Sequence, residues 1–577
     1  MPVVPSRKWN LPEPLPGACA RLAAQLDIPL PIAGLLRRRG LEDPDSVARF
    51  LDPSPARLHK PDSLPDIAKA TDRVCRALES GERICVHGDY DVDGVTGTVL
   101  LVTVLRDLGG DVCYYLPHRE AEGYGLSLSG VDFCRDERVK LLVTTDCGST
   151  DHEAVRAARE ADIDVIITDH HEVPAELPEA VALVNPKRPD SDYPFSELAG
   201  VGVAFKLAWS VLSQLDRPRE ELTALLDLVG LGTIADVVPL RDENRILALL
   251  GLSAIRDTER IGLRALMDRN RISKRPVTTY DVGYVIAPRL NAAGRVDHAL
   301  HAVELLLTDS KEEAGSIADK LESDNRNRQA LEQRVIKEAT AIVERNGLAK
   351  NRVIVVAWPN WPAGILGLAA SRIADRYYRP TIAIGVEQGI SRGSGRSVSG
   401  FDLYAALEAS AEHLAGFGGH RAAAGVTIDP DKVEDFSRAI NEHAATLPEE
   451  VFRPSLDVDT VVDLSELDDA FVKTLMRMEP FGSGNRTPVF ASMGLEIVGY
   501  PRRFGKNHLA LRVRAGDNVM DAVAWRRSED LTELVVGEPG HLDICYTVER
   551  RNWRGRTSTR LNVKDMRTAA QDSPGTS

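Results

Sequence analysis

The chain has 577 residues, of which 43% are hydrophobic and 27% charged, as in an ordinary globular protein of three or four domains. Its apolar runs are shorter than the ~18–20 residues of a membrane span. The N-terminus, Met1 to Trp9, lacks the apolar core of a signal peptide, so we expect a cytoplasmic protein with no membrane contact. Seven scattered cysteines, with no CxxC pair, argue against disulfides and a thiolate zinc site.

Charge is unevenly distributed along the chain. The net charge is −15, yet residues 499–567 carry 14 Lys/Arg against 9 Asp/Glu. A basic module on an acidic body is typical of a nucleic-acid grip combined with a site that needs cations.

The first 300 residues contain an extension and then an alternating pattern. Residues 1–75 are short helical patterns broken by prolines, which predicts an extension packed on the next domain. Over residues 76–300 apolar strands alternate with amphipathic helices, which predicts an α/β domain with a doubly wound parallel sheet.

The ends of the predicted strands carry the unusual residues. The first strand is followed by a loop with one histidine and three aspartates, His87 to Asp93, and later strands end at Asp146 and at the triplet Asp169–His171. Asp236 follows a predicted helix. Taken alone, the first loop could be an acidic turn that caps a helix. Because ligands of doubly wound sheets bind at the carboxyl ends of the strands, we expect a shared site there.

Carboxylates and imidazoles without thiolates suit Mn²⁺, Mg²⁺ or iron better than structural zinc. Even four of these aspartates and two of these histidines would exceed what one ion needs. A carboxylate shared by two ions ~3.5–4 Å apart is the usual arrangement for phosphoester cleavage.

The ordered motifs resemble those of the DHH phosphoesterase superfamily and, within it, the RecJ family of bacterial single-strand-specific exonucleases. The resemblance implies two divalent cations, with Mn²⁺ preferred and Mg²⁺ as the alternative. It implies this ligand set: His87, Asp91 and Asp146 for one ion, and Asp93, Asp146, His170 and Asp236 for the other.

The same resemblance implies the remaining roles in the site. Asp146 bridges the ions and is catalytic, and His171 faces the scissile phosphate as an electrophile or acid. Asp89 and Asp169 are expected to orient the histidines and loops rather than to bind metal.

Two further segments are candidate substrate contacts. Arg119 and Tyr124 follow a strand end and suit phosphate binding and base stacking, although a surface salt bridge and a half-buried aromatic are the alternatives. The resemblance implies that their segment holds the 5′ end. Arg289 and Asn291 stand among small residues and suit phosphate or backbone contacts, although the apolar residues around them would also fit the start of a core helix.

The second half of the chain predicts a helix and two more domains. Residues 301–348 form a connecting region with a long helix that is polar in its middle, as in a strut. Residues 349–450 predict a second α/β domain, which resembles the DHHA1-type second domain of DHH phosphoesterases. Its glycine-rich segments carry four substrate-binding candidates: Ser394, Arg396, His420 and Arg421.

The last region predicts short strands with basic turns, as in a barrel of the oligonucleotide-binding (OB) type over residues 455–567. Residues 568–577 predict a disordered tail.

These features favour a metal-dependent 5′→3′ exonuclease that degrades single-stranded DNA to 5′-mononucleotides in recombination and repair. A small-molecule phosphoesterase of the superfamily (a pyrophosphatase or cyclic-dinucleotide hydrolase) and an inactive scaffold are the alternatives. We expect a monomer that acts on single-stranded DNA with a 5′ end, with single-strand-binding protein and a RecQ-type helicase as partners.

Overall fold

The computed structural model describes residues 7–13, 17–119, 121–218, 220–296, 299–387, 389–527, 531, 541–553 and 556–569. The tail predicted at 568–577 lies outside this set from residue 570. The strands, in chain order, are β1 Lys8–Asn10, β2 Ile84–Gly88, β3 Val112–Tyr115, β4 Leu141–Thr145, β5 Asp164–Thr168, β6 Ala182–Val184, β7 Ile354–Pro359, β8 Thr381–Val386, β9 Ser391–Arg396, β10 Gly416–His420, β11 Ala423–Ile428, β12 Ser455–Asp457, β13 Thr460–Val461, β14 Phe490–Ile497, β15 Arg502–Phe504, β16 His508–Ala515, β17 Asn518–Ala524, β18 Leu542–Trp553 and β19 Arg556–Thr568.

The helices lie between these strands. The α-helices are Gly17–Leu26, Leu30–Arg38, Pro44–Leu51, Ile67–Ser80, Val92–Asp107, Leu128–Asp136, His152–Glu160, Gly200–Gln214, Glu220–Thr223, Leu226–Ala235, Asp242–Arg256, Ile261–Arg269, Thr279–Asp281, Ala287–Val296, Leu300–Leu307, Lys311–Arg345, Ala363–Tyr377, Leu403–Glu408, Val433–Ala445 and Asp469–Met476, and a π-helix spans Val282–Ile286. Among the described helices, no single one is long and apolar enough to cross a membrane, although the bent pair at 17–26 and 30–38 meets that test by length and composition.

The chain divides into two compact units. The first unit contains residues 49–327 and 478–487, and the second contains residues 1–48, 328–477 and 488–577. The helix Lys311–Arg345 occupies the place of the predicted strut, and the division falls within it.

The first unit is built on a five-stranded sheet in the order β3-β2-β4-β5-β6, and every pairing is parallel. Val86 of β2 points into one large core together with Val95 and Val99 of the helix that follows. Its neighbour Cys85 points to the other face, where Leu142 and Val155 lie. Helices thus cover both faces, and the predicted doubly wound sheet is confirmed.

The second unit contains two larger sheets and a short one. The strands β7 to β11 form a mixed sheet in the order β10-β11-β9-β8-β7. A seven-stranded sheet, β13-β14-β18-β19-β17-β16-β15, is closed further by pairing of β14 with β16, which gives the predicted OB-type barrel.

The N-terminal extension differs from the expectation. Strand β1 pairs with β12, and the Trp9 indole donates a hydrogen bond of 2.8 Å to Asp565 in the barrel. Residues up to 48 therefore belong to the second unit, and only residues 49–75 accompany the parallel sheet. A buried indole needs apolar neighbours for its ring and an acceptor for its N–H, and the barrel provides both for Trp9.

Candidate metal centre

The loop after β2 is held by its own aspartates. The Asp91 carboxylate accepts hydrogen bonds from the backbone amides of Asp93, at 2.8 Å, and Gly94, at 3.2 Å, and so caps the helix Val92–Asp107. A β-carbon at Gly94 would lie 2.4 Å from the carbonyl oxygen of Asp89, so only glycine fits there. The loop is therefore both an acidic cap and a candidate site.

Asp93 is anchored by a second helix. Its carboxylate is buried and accepts hydrogen bonds from the amides of Gly200, at 2.6 Å, and Val201, at 2.8 Å. These amides open the helix Gly200–Gln214, whose N-terminal end favours negative charge. The position of Asp93 is thus fixed before any ligand binds.

Asp146 lies where these elements converge. It follows β4 in a left-handed conformation, with φ of 64°, which aspartate tolerates better than most residues. Its Oδ1 lies 3.1 Å from Nε2 of His170. The same Nε2 lies 3.8 Å from Asp93 and 3.7 Å from Asp236. Four side chains from separate strand and helix ends therefore surround one small space.

Candidate ligand atoms within 4.8 Å of one another form three overlapping groups among the described residues: Asp146, His170 and His171; Asp93, His170 and Asp236; and Asp89, Asp91 and Asp146. Asp146 belongs to two of these groups, as expected of a bridging carboxylate. His87 belongs to none of them, whereas Asp89 does.

The surroundings of His87 explain why it lies outside these groups. The His87 ring is fully buried and stacks on Tyr115, with ring centroids 5.4 Å apart, and its Nδ1 lies 3.8 Å from Sγ of Cys147. A β-carbon at Gly130 would lie 2.8 Å from its Nε2. His87 projects to the Cys85 face of the sheet, because side chains alternate along a strand, while the helix that carries Asp93 packs on the Val86 face.

Burial makes the charge in this cluster costly. Burial, followed by the charge of Asp91, raises the pKa of Asp89 and of Asp93 to about 7. Burial, followed by the charges of Asp93 and Asp91, raises the pKa of Asp236 to about 9 and that of Asp146 well above its usual value. Without cations, the site keeps protons that ordinary carboxyl groups lose.

The donor atoms fit divalent cations. The Oδ1 atoms of Asp89 and Asp146 and the Nε2 atoms of His87 and His170 are buried without a hydrogen-bond partner in the described part of the chain. Burial, followed by the charge of His171, lowers the pKa of His170 to about 4. Nε2 is the ring nitrogen that faces the carboxylates, and a neutral imidazole with its lone pair there is the arrangement of a metal-binding histidine.

His171 lies at the open edge of the cluster and is about half exposed. Its Nδ1 lies 2.8 Å from Oδ1 of Asp169 and 2.8 Å from the Tyr124 hydroxyl, whose single proton is donated to the backbone carbonyl of Asp146 at 3.0 Å. Burial works against its charged form, but the hydrogen bond and charge of Asp169 raise the pKa of His171. Asp169 also accepts from the amides of Ser149 and His170, so it holds this histidine in place.

The predicted Arg119 and the segment at 288–295 lie on the same side of the first unit as the loop. The Arg119 guanidinium lies 4.9 Å from the centroid of the Tyr90 ring. A β-carbon at Gly294 would lie 3.2 Å from the Tyr90 carbonyl, so the helix that carries Asn291 packs against the loop. Arg289 is held by Glu322, at 2.6 Å, and its phosphate contact stays a prediction.

The four candidates of the second unit lie at one end of its mixed sheet. Arg396 donates to the Ser394 hydroxyl at 3.1 Å. It stands opposite Ala423, which in turn stands opposite His420. His420 and Arg421 are exposed at the hairpin between β10 and β11. The sequence thus predicted four residues that the sheet register brings together.

Two supporting features were not predicted. The amides of Gly200 and Val201 hold Asp93, and a glycine run at the predicted start of a helix is the signal for such a contact. Asp151 accepts a 2.6 Å hydrogen bond from the Leu126 amide and so fastens the segment that carries Tyr124. A lone aspartate after a turn gives no sequence signal for that role.

Comparison with known proteins places these regions. The DHH family N-terminal domain matches residues 83–233, the DHHA1 domain matches 350–446, and the RecJ OB domain matches 458–565. The fold and the aspartate–histidine cluster thus define a protein of the DHH class.

Similarity to whole proteins is more specific. The chain is 37% identical to the single-stranded-DNA-specific exonuclease RecJ of Bacillus subtilis, covering 97% of this chain and 70% of that protein. It is 34% identical to Escherichia coli RecJ, with 94% and 97% covered. The crystal structure of Thermus thermophilus RecJ with Mn²⁺ superimposes with a TM-score of 0.81 at 30% identity, covering 97% of this chain and 79% of that one. A second structure of that protein contains Mg²⁺. The chain belongs to the RecJ family.

Proposed function

We propose that the protein is a metal-dependent exonuclease that degrades single-stranded DNA from the 5′ end to 5′-mononucleotides. The observation that carries this proposal is the set of three overlapping ligand groups joined through Asp146 and His170 at the strand ends. The RecJ relatives named above are single-stranded-DNA-specific exonucleases. The OB-type barrel argues against a small-molecule phosphoesterase, and the complete cluster argues against an inactive scaffold.

The proposed ligand sets follow the geometry of the cluster. One cation is held by Asp89, Asp91 and Asp146, and the other by Asp93, Asp146, His170 and Asp236. Asp89 takes the place expected of His87, which packs behind the loop. Such a pair of cations activates water and stabilises charge on the phosphate oxygens.

The chain's own residues position the strand and supply the proton. His171 keeps its Nδ1 proton on Asp169, which leaves Nε2 as the second donor of the ring for an oxygen of the scissile phosphate. Tyr124 ties His171 to the backbone of Asp146, so the donor and the bridging ligand move together. Arg119, fixed over Tyr90, would bind the 5′ phosphate.

The second unit would grip the strand. Ser394, Arg396, His420 and Arg421 provide donors for phosphate at the end of the mixed sheet. In the barrel, the rings of Phe504 and His508 lie 5.7 and 4.9 Å from that of Trp525. Trp525 is 41% exposed and has the Arg560 guanidinium 5.4 Å from its ring. Exposed aromatics with neighbouring cations suit base stacking along a single strand.

The proposal also covers the domain boundaries, the cellular compartment, the oligomeric state and the partner proteins. We assign the DHH domain to residues 76–300, the connecting helix to 301–348, the DHHA1-type domain to 349–450 and the barrel to 455–567. All seven cysteines are free thiols, which suits a reducing cytoplasm. A monomer would suffice, with a RecQ-type helicase exposing the single strand and single-strand-binding protein keeping it open.

A digestion with end-labelled strands tests the proposal. Single-stranded DNA and RNA, labelled at the 5′ or the 3′ end, are incubated with Mn²⁺, Mg²⁺ or chelator. We expect 5′-labelled DNA to release labelled mononucleotide at once, only with metal. Release first from the 3′ end, internal cleavage, or activity in chelator would contradict it.

A further inference from the structure

Two tyrosines in the first unit are largely exposed to solvent, although burial of their apolar rings would be favourable. Tyr280 is 64% exposed and Tyr284 is 71% exposed. Their rings lie stacked, with centroids 4.9 Å apart and planes 22° apart. Paired exposed aromatic rings form a flat apolar surface, and such a surface on a globular protein is typical of a binding site.

The local backbone explains why the pair is presented outward. Thr278 and Asp281 form a reciprocal cap at the start of this segment. A π-helix follows at Val282–Ile286, in which the Ala287 amide bonds to the Val282 carbonyl. Pro288 comes next, and the wider turn before it relieves the clash that a proline ring makes with the carbonyl four residues earlier in an α-helix. At Gly283 a β-carbon would meet no atom within 4 Å, so the surface beside the rings is open.

The helix leads from this pair to the metal loop. The segment continues as the helix Ala287–Val296, and its Gly294 packs against Tyr90 between Asp89 and Asp91. Ten residues separate Tyr284 from Gly294, which is about 15 Å along a helix. At ~3.4 Å per stacked nucleotide, about four nucleotides span that distance.

The turn that precedes the pair in the sequence carries positive charge that suits a nucleic-acid strand. Arg271 and Lys274 are exposed on the turn that precedes the segment, and neither makes an ion pair among the described residues. Arg275, in contrast, is bound to Asp281 and steadies the start of the segment. An aromatic surface with nearby cations selects stacked bases on a polyanion over a neutral apolar partner.

We propose that Tyr280 and Tyr284 form a base-stacking platform for single-stranded DNA, about four nucleotides away from the scissile phosphate. The proposal rests on the proposed function, since it assumes a strand that leaves the metal loop along this helix. In this proposal the two tyrosines contribute to DNA binding and take no part in bond cleavage. A single strand would thus be gripped within the first unit, separately from the barrel.

Binding to full-length protein in chelator tests the platform without cleavage. The chain with Tyr280→Ala and Tyr284→Ala is titrated with a 12-nucleotide strand and a trinucleotide, with fluorescence anisotropy as the readout. We expect Kd for the 12-mer to rise roughly 5- to 100-fold and Kd for the trinucleotide to stay within twofold. The double Tyr→Phe variant should restore wild-type binding, because the ring and not the hydroxyl stacks. Leu249→Ala, another partly exposed apolar position of this unit, is the matched control.

A second strand separates stacking from other causes. A 12-mer with abasic sites at nucleotides three to six should bind wild-type protein more weakly, and the double Ala variant should lose no more. The platform is wrong if Kd for the intact 12-mer is unchanged, if the trinucleotide is affected equally, or if Tyr→Phe fails to restore binding. Equal melting temperatures show that a variant is folded. Failure of the proposed function is seen separately, as wild-type protein that binds DNA and does not cut it with Mn²⁺.

Discussion

The metal centre and the barrel face around Trp525 hold charge in opposite ways. In the first unit four aspartates of the cluster are confined, and burial raises the pKa of Asp89 and Asp93 to about 7. In the barrel, the Arg560 guanidinium lies beside the partly exposed Trp525 indole. Buried carboxylates repel one another unless cations neutralise them, so small displacements of these side chains should have large effects on cleavage. An open surface is already solvated, so single changes there should have small effects.

The bridging carboxylate gives the largest expected effect. Asp146→Ala should lower cleavage about 10³-fold or more, because both proposed cations lose a ligand. Binding of a single strand should stay within about threefold, since the barrel is untouched. Steady-state cleavage with Mn²⁺ and anisotropy binding measure the two. Cleavage within tenfold of wild type would remove Asp146 from the bridge.

A β-carbon at Gly200 should be nearly as harmful. It would lie 2.6 Å from Oδ1 of Asp146, so Gly200→Ala must displace that carboxylate. We expect kcat to fall about 10- to 100-fold, as for a displacement of a reacting group by about 1 Å. Gly202→Ala is the matched control on the same helix, because its nearest contact, Leu198, would be at an ordinary 3.4 Å. Equal activity of the two variants would show that the cluster is looser than described.

The raised carboxyl pKa values predict how stability depends on pH without metal. Asp89, Asp93 and Asp236 keep protons in the folded state up to pH values of about 7 to 9, whereas an unfolded aspartate loses its proton near pH 4. The folded state binds more protons in that window, so the free energy of unfolding falls as pH rises through it. The melting temperature in chelator should drop by about 5 °C from pH 5 to pH 8. Mn²⁺ should remove the drop, and a flat or rising curve in chelator would contradict the prediction.

The barrel gives the smallest expected effect. Arg502 is exposed on β15, and Arg502→Gln should reduce the slope of log Kd against log salt by about 0.7. Arg514→Gln is the control, because Glu496 already pairs with that guanidinium. A slope that changes equally in both variants would mean that the charge of the whole barrel, rather than a contact at Arg502, sets the binding.

Much of this fold could be predicted from sequence because the signals are local. The buried strand β2 and the capped helix after it follow from apolar runs and helix-start residues. The proposed exchange of His87 for Asp89 as a ligand could not be predicted from spacing, because the motif alone does not say on which face a strand's last residue lies. Strand alternation contains that information once it is known that the next helix packs on the Val86 face. The pairing of β1 with β12 could not be predicted, since it joins residues about 450 positions apart in the sequence.

Counting bound Mn²⁺ in matched variants tests the central claim, that Asp89 rather than His87 completes a two-cation site. Calorimetric titration of metal-free protein should give two ions per chain for wild type and for His87→Phe, which keeps a ring against Tyr115. Asp89→Asn should bind one ion. Two ions in Asp89→Asn together with one ion in His87→Phe would contradict the account.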